Sequence, residues 1–184
     1  MGIEAVEAAL IAALQNALGS YVRKIESLPG GWSEEIVARV EREAPAAYVV
    51  FLRGLRGVQT HEAVINGQYA VYLVNTNAIG QVARREGDGK KLGTLALVQA
   101  AISAIQGLTI EDHGTAELLA VENLWEGAFE RKNLSIYAAV WQIPTTVGPV
   151  SLPDGLGDFE TFDAVYELPG NEAAAEDTVT METE

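Results

Sequence analysis

Apolar residues in the first part of the chain recur at steps of three and four: Ile3, Val6, Leu10, Leu14 and Leu18. That spacing is the helical period, so it predicts an amphipathic helix that lays this stripe on a sheet and stops at Gly19. The period then changes. YVRKIESLPGG places Tyr21, Arg23 and Ile25 on one side of a short strand that runs into a Pro29-Gly30-Gly31 turn. Ser33 next offers a side-chain oxygen to cap a helix, with Glu34 and Glu35 in the first turn, where the helix dipole favours acids. This second helix turns Ile36, Val37 and Val40 inward and ends before Pro45.

Two runs, AAYVVFLRG (46–54) and QYAVYLVN (68–75), are apolar at successive positions and therefore on both faces. They predict strands covered on both sides, by helices on one face and by helices or a neighbouring subunit on the other. The polar stretch between them carries Asn66-Gly67, a turn signal. Leu95, Val98, Ile102 and Ile105 predict a third helix that stops at Gly107. AELLAVENLWEG and LSIYAAVWQIP, near 116–127 and 134–144, read as a hairpin or two adjacent strands. Together these elements predict an α/β (α+β) domain over 1–144, with a mixed or antiparallel central sheet of about four to five strands packed by about three helices.

The character changes after Pro144. TTVGPVSLPDGLGDFETFDAVYELPG mixes prolines and glycines with Phe159, Phe162, Val165 and Tyr166. It reads as an extended arm over 145–170 with a short strand near 161–168. The acidic remainder, 171–184, has the composition of a disordered tail.

Composition narrows the function classes. The 184 residues suit one domain of ordinary size, or one smaller domain with an appendage, and 48% hydrophobic against 21% charged residues is the usage of a globular protein. No apolar run approaches the roughly 18 residues needed to span a bilayer, and the first residues carry glutamates where a secretory signal carries bases. A protein made and used in the cytoplasm, or assembled there, with no membrane partner, is expected. The chain has no cysteine, which excludes disulfides, thiolate metal sites and cysteine nucleophiles. The formal net charge of −14 is unevenly placed: residues 1–132 hold all 12 bases against 16 acids, whereas 133–184 hold 10 acids and no base. Such a chain repels nucleic acid at long range, which argues against a tight nonspecific DNA or RNA binder.

The densest basic stretch is GQVARREGDGKKLGT, 80–94, with Arg84, Arg85, Lys90 and Lys91. A phosphate-cradling P-loop needs G-x-x-x-x-G-K-[ST], but Arg84 stands at the first glycine position and Lys91 follows Lys90. A dinucleotide G-x-G-x-x-G pattern begun at Gly87 and Gly89 meets Leu92 in place of its third glycine. The stretch therefore reads as a mobile polar connection between a strand and a helix. His61-Glu62 opens like a zinc-protease helix, yet Ile65 occupies the place of the second histidine. Glu111-Asp112-His113-Gly114 offers ligand types but reads as a solvated turn. No serine stands in a G-x-S-x-G elbow, and the paired carboxylates Glu34-Glu35 and Glu41/Glu43 read as a solvated helix face. No catalytic residue, cofactor or metal ligand is expected. Among the tryptophans, Trp32 and Trp125 are the candidate interface residues, and Trp141 lies inside an apolar strand.

Four phrases follow one another in a recognisable order over about 3–144: YVRKIESLPGGWSEEIVARVEREAPAAYVVFLRG, NGQYAVYLVNTN, ARREGDGKKLGTLALVQAAISAIQGLTI and ENLWEGAFERKNLSIYAAVWQIPT. In these phrases the chain resembles the Mu-like phage family of tail terminator proteins. The resemblance implies a small α/β subunit that assembles as a ring, usually a homohexamer, on the head-proximal end of a tail tube. Such a ring ends tail polymerisation and offers a docking surface to the head-tail connector. The implied partners are other copies of the chain, the tail tube protein and the connector protein, with DNA passing through the ring without specific binding. The implied location is the virion, after assembly in the host cytoplasm. In that setting Arg84, Arg85, Lys90 and Lys91 become a candidate subunit-interface or lumen loop. A head-to-tail joining (neck) protein of the same ring design is the alternative. A metal-dependent phosphate or nucleotide hydrolase using Asp112 and His113, or a small regulatory binding domain, would require a site that the sequence does not display.

Overall fold

The computed structural model describes residues 2–28, 32–59, 63–76, 80–88, 91–124, 133–148, 161–166 and 175–180. The chain divides into two compact units, Met1–Gly148 and Pro149–Glu184.

The first unit is built on a five-stranded sheet in the order β1-β2-β3-β5-β4, with β1 at Lys24–Ser27, β2 at Ala46–Gln59, β3 at Ala63–Thr76, β4 at Glu117–Asn123 and β5 at Leu134–Val147. β1 lies parallel to β2, and every other neighbouring pair is antiparallel, so the sheet is mixed. Its helices are α1 at Ile3–Leu18, α2 at Glu34–Glu43, the single-turn-scale α3 at Gln81–Glu86, and α4 at Thr94–Ile105. None of the described helices is long and apolar enough to cross a membrane.

The predicted stripe of α1 is what the sheet receives: Val6, Leu10, Leu14 and Leu18 are fully buried. They join Leu97, Val98, Ala101 and Ile105 of α4 over Ala47, Val49, Tyr69, Val71, Tyr137, Ala139 and Trp141 on one sheet face. The buried face of α4 is turned slightly from the predicted one, with Leu95 and Ile102 at its margin. Truncating any one of the buried leucines to alanine costs about 2–5 kcal/mol in such a core. The opposite face has its own cluster, in which Val37, Val40 and Leu28 cover Ala46, Tyr48, Val50, Val74, Leu134 and Ile136. Both faces of β2 and β3 are apolar because α2 covers the second face within the same chain. Ser33 caps α2 as its type predicts, accepting from the Ile36 amide at 3.3 Å.

Polar contacts tie this lid down. The Tyr48 hydroxyl donates to Glu43 at 2.6 Å, Arg39 Nε donates to the other Glu43 oxygen at 3.2 Å, and Arg39 also pairs with Glu26 on β1. Burial alone would push the Glu43 carboxyl up, but the hydrogen bonds from Tyr48 and Arg39 and the Arg39 charge leave it below the ordinary value of 4.5. Burial, with the facing Glu43 carboxylate, holds the Tyr48 hydroxyl well above its ordinary value.

Three local expectations are corrected. Asn66-Gly67 is not a turn: both residues lie inside β3, opposite Leu55 and Gly54, and the hairpin closes between Gln59 and Ala63. Gly67 is there for room, since a Cβ at this position would lie 2.7 Å from the Tyr69 ring and 2.9 Å from Thr145 Oγ1. Tyr21 and Arg23 precede the strand instead of belonging to it; Tyr21 is exposed, and the Arg23 amide bonds to Pro45 O at 2.7 Å. Pro144 does not end the last strand, because β5 pairs with β3 through it to Val147.

In the second unit β6 (Thr161–Tyr166) pairs antiparallel with β7 (Ala175–Thr180). β6 falls on the strand expected near 161–168. β7 falls in the acidic segment whose composition predicts disorder; the rest of 171–184 lies outside the described residues.

Candidate functional site

The basic stretch after β3 is more ordered locally than its composition suggests. α3 carries Arg84 and Arg85, and its last turn is closed by the Gly87 amide on Ala83 O at 3.0 Å. Gly87 and Leu92 then form an antiparallel bridge. Within it the Lys91 amide donates to Asp88 Oδ1 at 2.8 Å, and the Asp88 amide to Lys91 O at 3.3 Å. Asn75, near the end of β3, donates from Nδ2 to Leu92 O at 2.8 Å, which fixes the turn to the sheet. Gly93 permits the close approach of this turn to α3: a Cβ there would lie 2.3 Å from Arg85 O and 2.4 Å from the Gly87 nitrogen. The expected mobile connection is thus in part a helix, a bridge and a backbone-to-backbone contact. A phosphate cradle would need free amides curling round an anion, whereas the Lys91 amide is occupied by a carboxylate.

Arg85 and Lys91 are exposed. Lys90 and Trp125 lie outside the described residues, as does the side chain of Arg84. Lys91 and Leu92 border an open groove of about 640 Å³ at one end of the sheet, shared with Tyr21, Arg23, Pro45 and Glu86. The groove holds both signs of charge and an exposed aromatic ring. Trp32 is half-buried beside α2, with its ring edge-on to Tyr72 at 5.0 Å between centroids and 71° between planes. Trp141 is fully buried under the helices, as its apolar strand predicts.

Of the candidate chemical groups, His61 lies outside the described residues. His113 is not a solvated side chain: it is half-buried in the turn after α4, and its Nδ1 accepts from the Thr146 amide at 3.1 Å. Its Nε2 is buried with no hydrogen-bond partner among the described residues. Burial pushes the His113 pKa below 6.5, against the opposing pull of Asp112. An imidazole that accepts from a backbone amide is held neutral and aimed at β5, not outward at a metal. Among the described residues no three His, Asp or Glu side chains gather as a metal site.

The surface features that sequence periodicity did not single out are the two lateral edges of the sheet. β1 covers β2 only from Ala46 to Val49, so the outer edge of β2 beyond the Phe51 amide, which donates to Glu7 at 2.8 Å, runs uncovered by strand among the described residues. Leu52 and Leu55 on this stretch are 44% and 41% exposed, with Arg53 and Arg56 exposed beside them. The other edge is β4, where Leu119 and Val121 are 48% and 43% exposed between the exposed Glu117 and Glu122. The bond from the Leu124 amide to Ile136 O sets the alternation on β4: Glu122 and Ala120 face β5 with their amides, and those of Val121 and Asn123 point outward.

Comparison with known proteins adds what geometry does not carry. A family model described as "Bacteriophage Mu, Gp37" matches residues 2–146. The chain is 25% identical over 164 residues to "Mu-like prophage FluMu protein gp37" of Haemophilus influenzae, spanning 89% of this chain and 80% of that protein. It is 24% identical over 167 residues to "Probable tail terminator protein" of Escherichia phage Mu, spanning 91% of this chain and 87% of that protein. A chain in the solved structure "Virion of native gene transfer agent (GTA) particle" aligns with 77% of this chain and 95% of its own length, at TM-score 0.47 and 12% identity.

Proposed function

The chain belongs to the Bacteriophage Mu Gp37 family, and from that premise we propose that it is a structural protein of a phage tail. In this reading copies of the chain form a ring, expected to be a hexamer, on the head-proximal end of the tail tube. The ring ends tube polymerisation and presents the surface on which the head connector docks. The observation that carries the reading is similarity along nearly the whole chain to the phage Mu protein named a probable tail terminator.

Electrostatics supports the same role. A ring through which DNA passes must not grip the duplex, and a subunit of net charge −14 repels phosphate at long range. The role is one of assembly, and it requires no catalytic group. The exposed Arg85 and Lys91 would then serve contacts within the particle.

The test is the mass of the purified protein by light scattering over a wide concentration range, with electron microscopy of the same fractions and of mixtures with purified tail tubes. A closed ring, and density at one tube end with tube growth halted, is the expected result. A monomer at every concentration that leaves tubes growing and undecorated overturns the reading.

A further inference from the structure

We propose that successive copies join head-to-tail through their sheet edges, the β4 edge of one copy pairing with the outer β2 edge, residues 52–57, of the next. The inference rests on the ring reading above and names the surfaces that close the ring.

Strand sense favours the pairing. β2 is antiparallel to β3, β3 to β5 and β5 to β4, so β4 runs opposite to β2. Head-to-tail repetition preserves the sense of each strand, and β4 of one copy therefore meets β2 of the next antiparallel, the more favourable ladder. The hydrogen-bonding groups are in place on both sides. Val121 and Asn123 turn their amides outward on β4, and the alternation set by the Phe51 amide and the β-bulge turns those of Gly54 and Arg56 outward on β2.

The side chains agree with the backbone. An open edge with exposed apolar residues recruits another strand, unless like charges on the two edges repel each other. Here each edge carries two exposed apolar residues, Leu119 and Val121 on one and Leu52 and Leu55 on the other. The charges are opposite in sign: Glu117 and Glu122 flank the first pair, and Arg53 and Arg56 accompany the second. Like edges would set acid against acid or base against base, so the charges select β4 with β2 over β4 with β4.

The absence of native cysteine makes the test direct. Within one chain β2 and β4 are separated by β3 and β5, about 14 Å apart at the usual strand spacing, too far for a disulfide. Any bond between them must join two copies. Val121→Cys is combined in turn with Arg53→Cys, Leu55→Cys and Arg56→Cys in the full chain, and each is oxidised after its mass has been measured. At least one combination is expected to give a reducible ladder of covalent oligomers reaching the ring number, with no ladder from any single substitution. Val121→Lys, on an outward and exposed position, is expected to shift the mass to that of the monomer while leaving the circular dichroism spectrum unchanged. Particles of ring mass with no ladder in any combination, and still assembled with Val121→Lys, overturn the edge pairing and leave the ring standing. A covalent dimer from Val121→Cys alone replaces it with a two-fold contact. A monomer in every case, with tail tubes present or absent, removes the ring reading and this inference together.

Discussion

Replacing Tyr48 by phenylalanine tests how α2 is held over the second sheet face. The ring of Tyr48 is fully buried, and its hydroxyl meets the Glu43 carboxylate at 2.6 Å. A hydrogen bond to a charged group contributes about 1.5–3 kcal/mol. Glu43 keeps Arg39 on its other oxygen and is 28% exposed, so water recovers part of the loss and the lower end applies, about 1.5 kcal/mol. In urea, with a slope of about 2 kcal/mol per molar, the midpoint should fall by about 0.7 M at pH 7. The sign of the pH dependence follows from Glu43. Its folded pKa is depressed, so its contribution is fully present above the ordinary value of 4.5 and is lost as pH falls through the lower folded value. The deficit of the variant should therefore shrink below about pH 4.5. The assay is urea unfolding by far-ultraviolet dichroism at pH 7 and at successive pH values below 4.5, at one fixed protein concentration, with the exposed Tyr21→Phe as control. An unchanged midpoint at pH 7 rules out this role for the Tyr48 hydroxyl, as does a deficit that stays constant as pH is lowered below 4.5 for as long as the protein remains folded.

Gly93→Ala should cost about 1–3 kcal/mol, because the added methyl meets backbone atoms of α3 that cannot rotate away; a melting temperature equal to that of the parent protein counts against this. The contribution of His113 is full above pH 6.5 and is lost as pH falls through its depressed folded value, since the protonated ring cannot accept from Thr146. Hydrogen exchange should accordingly show the Thr146 protection factor falling as pH is lowered below 6.5 through that depressed value, and protection that stays constant for as long as the protein remains folded excludes the coupling. Double reversal, Arg85→Glu with Lys91→Glu, should lower the assembled fraction seen by light scattering, and an unchanged mass distribution removes this loop from the contacts. Divalent metals should elicit no nucleotide hydrolysis; a metal-dependent rate abolished by Asp112→Asn and His113→Gln would falsify the purely structural role.

The sequence by itself determined the elements whose information is local. The three- and four-residue steps of α1, the Ser33 cap of α2 and the doubly apolar runs of β2 and β3 appear where their periods place them. The lack of thiols and the concentration of negative charge after residue 132 are composition, and no fold alters them. Tertiary structure decided what depends on neighbours distant in the chain. Asn66-Gly67 spells a turn, yet it is held in a strand by the register with β2 and by the Tyr69 ring that fills the place of a Cβ. His113 has the sequence context of a surface turn, but the Thr146 amide, 33 residues away, makes it an internal acceptor. The candidate interface was legible only in part. Arg85 and Lys91 are exposed as their type predicts, whereas Leu119 and Val121 read as ordinary strand residues until the order β1-β2-β3-β5-β4 places β4 outermost. Periodicity records which side of a strand is apolar. Which strand is left without a neighbour depends on pairings between segments far apart in the chain, and only the assembled sheet fixes it.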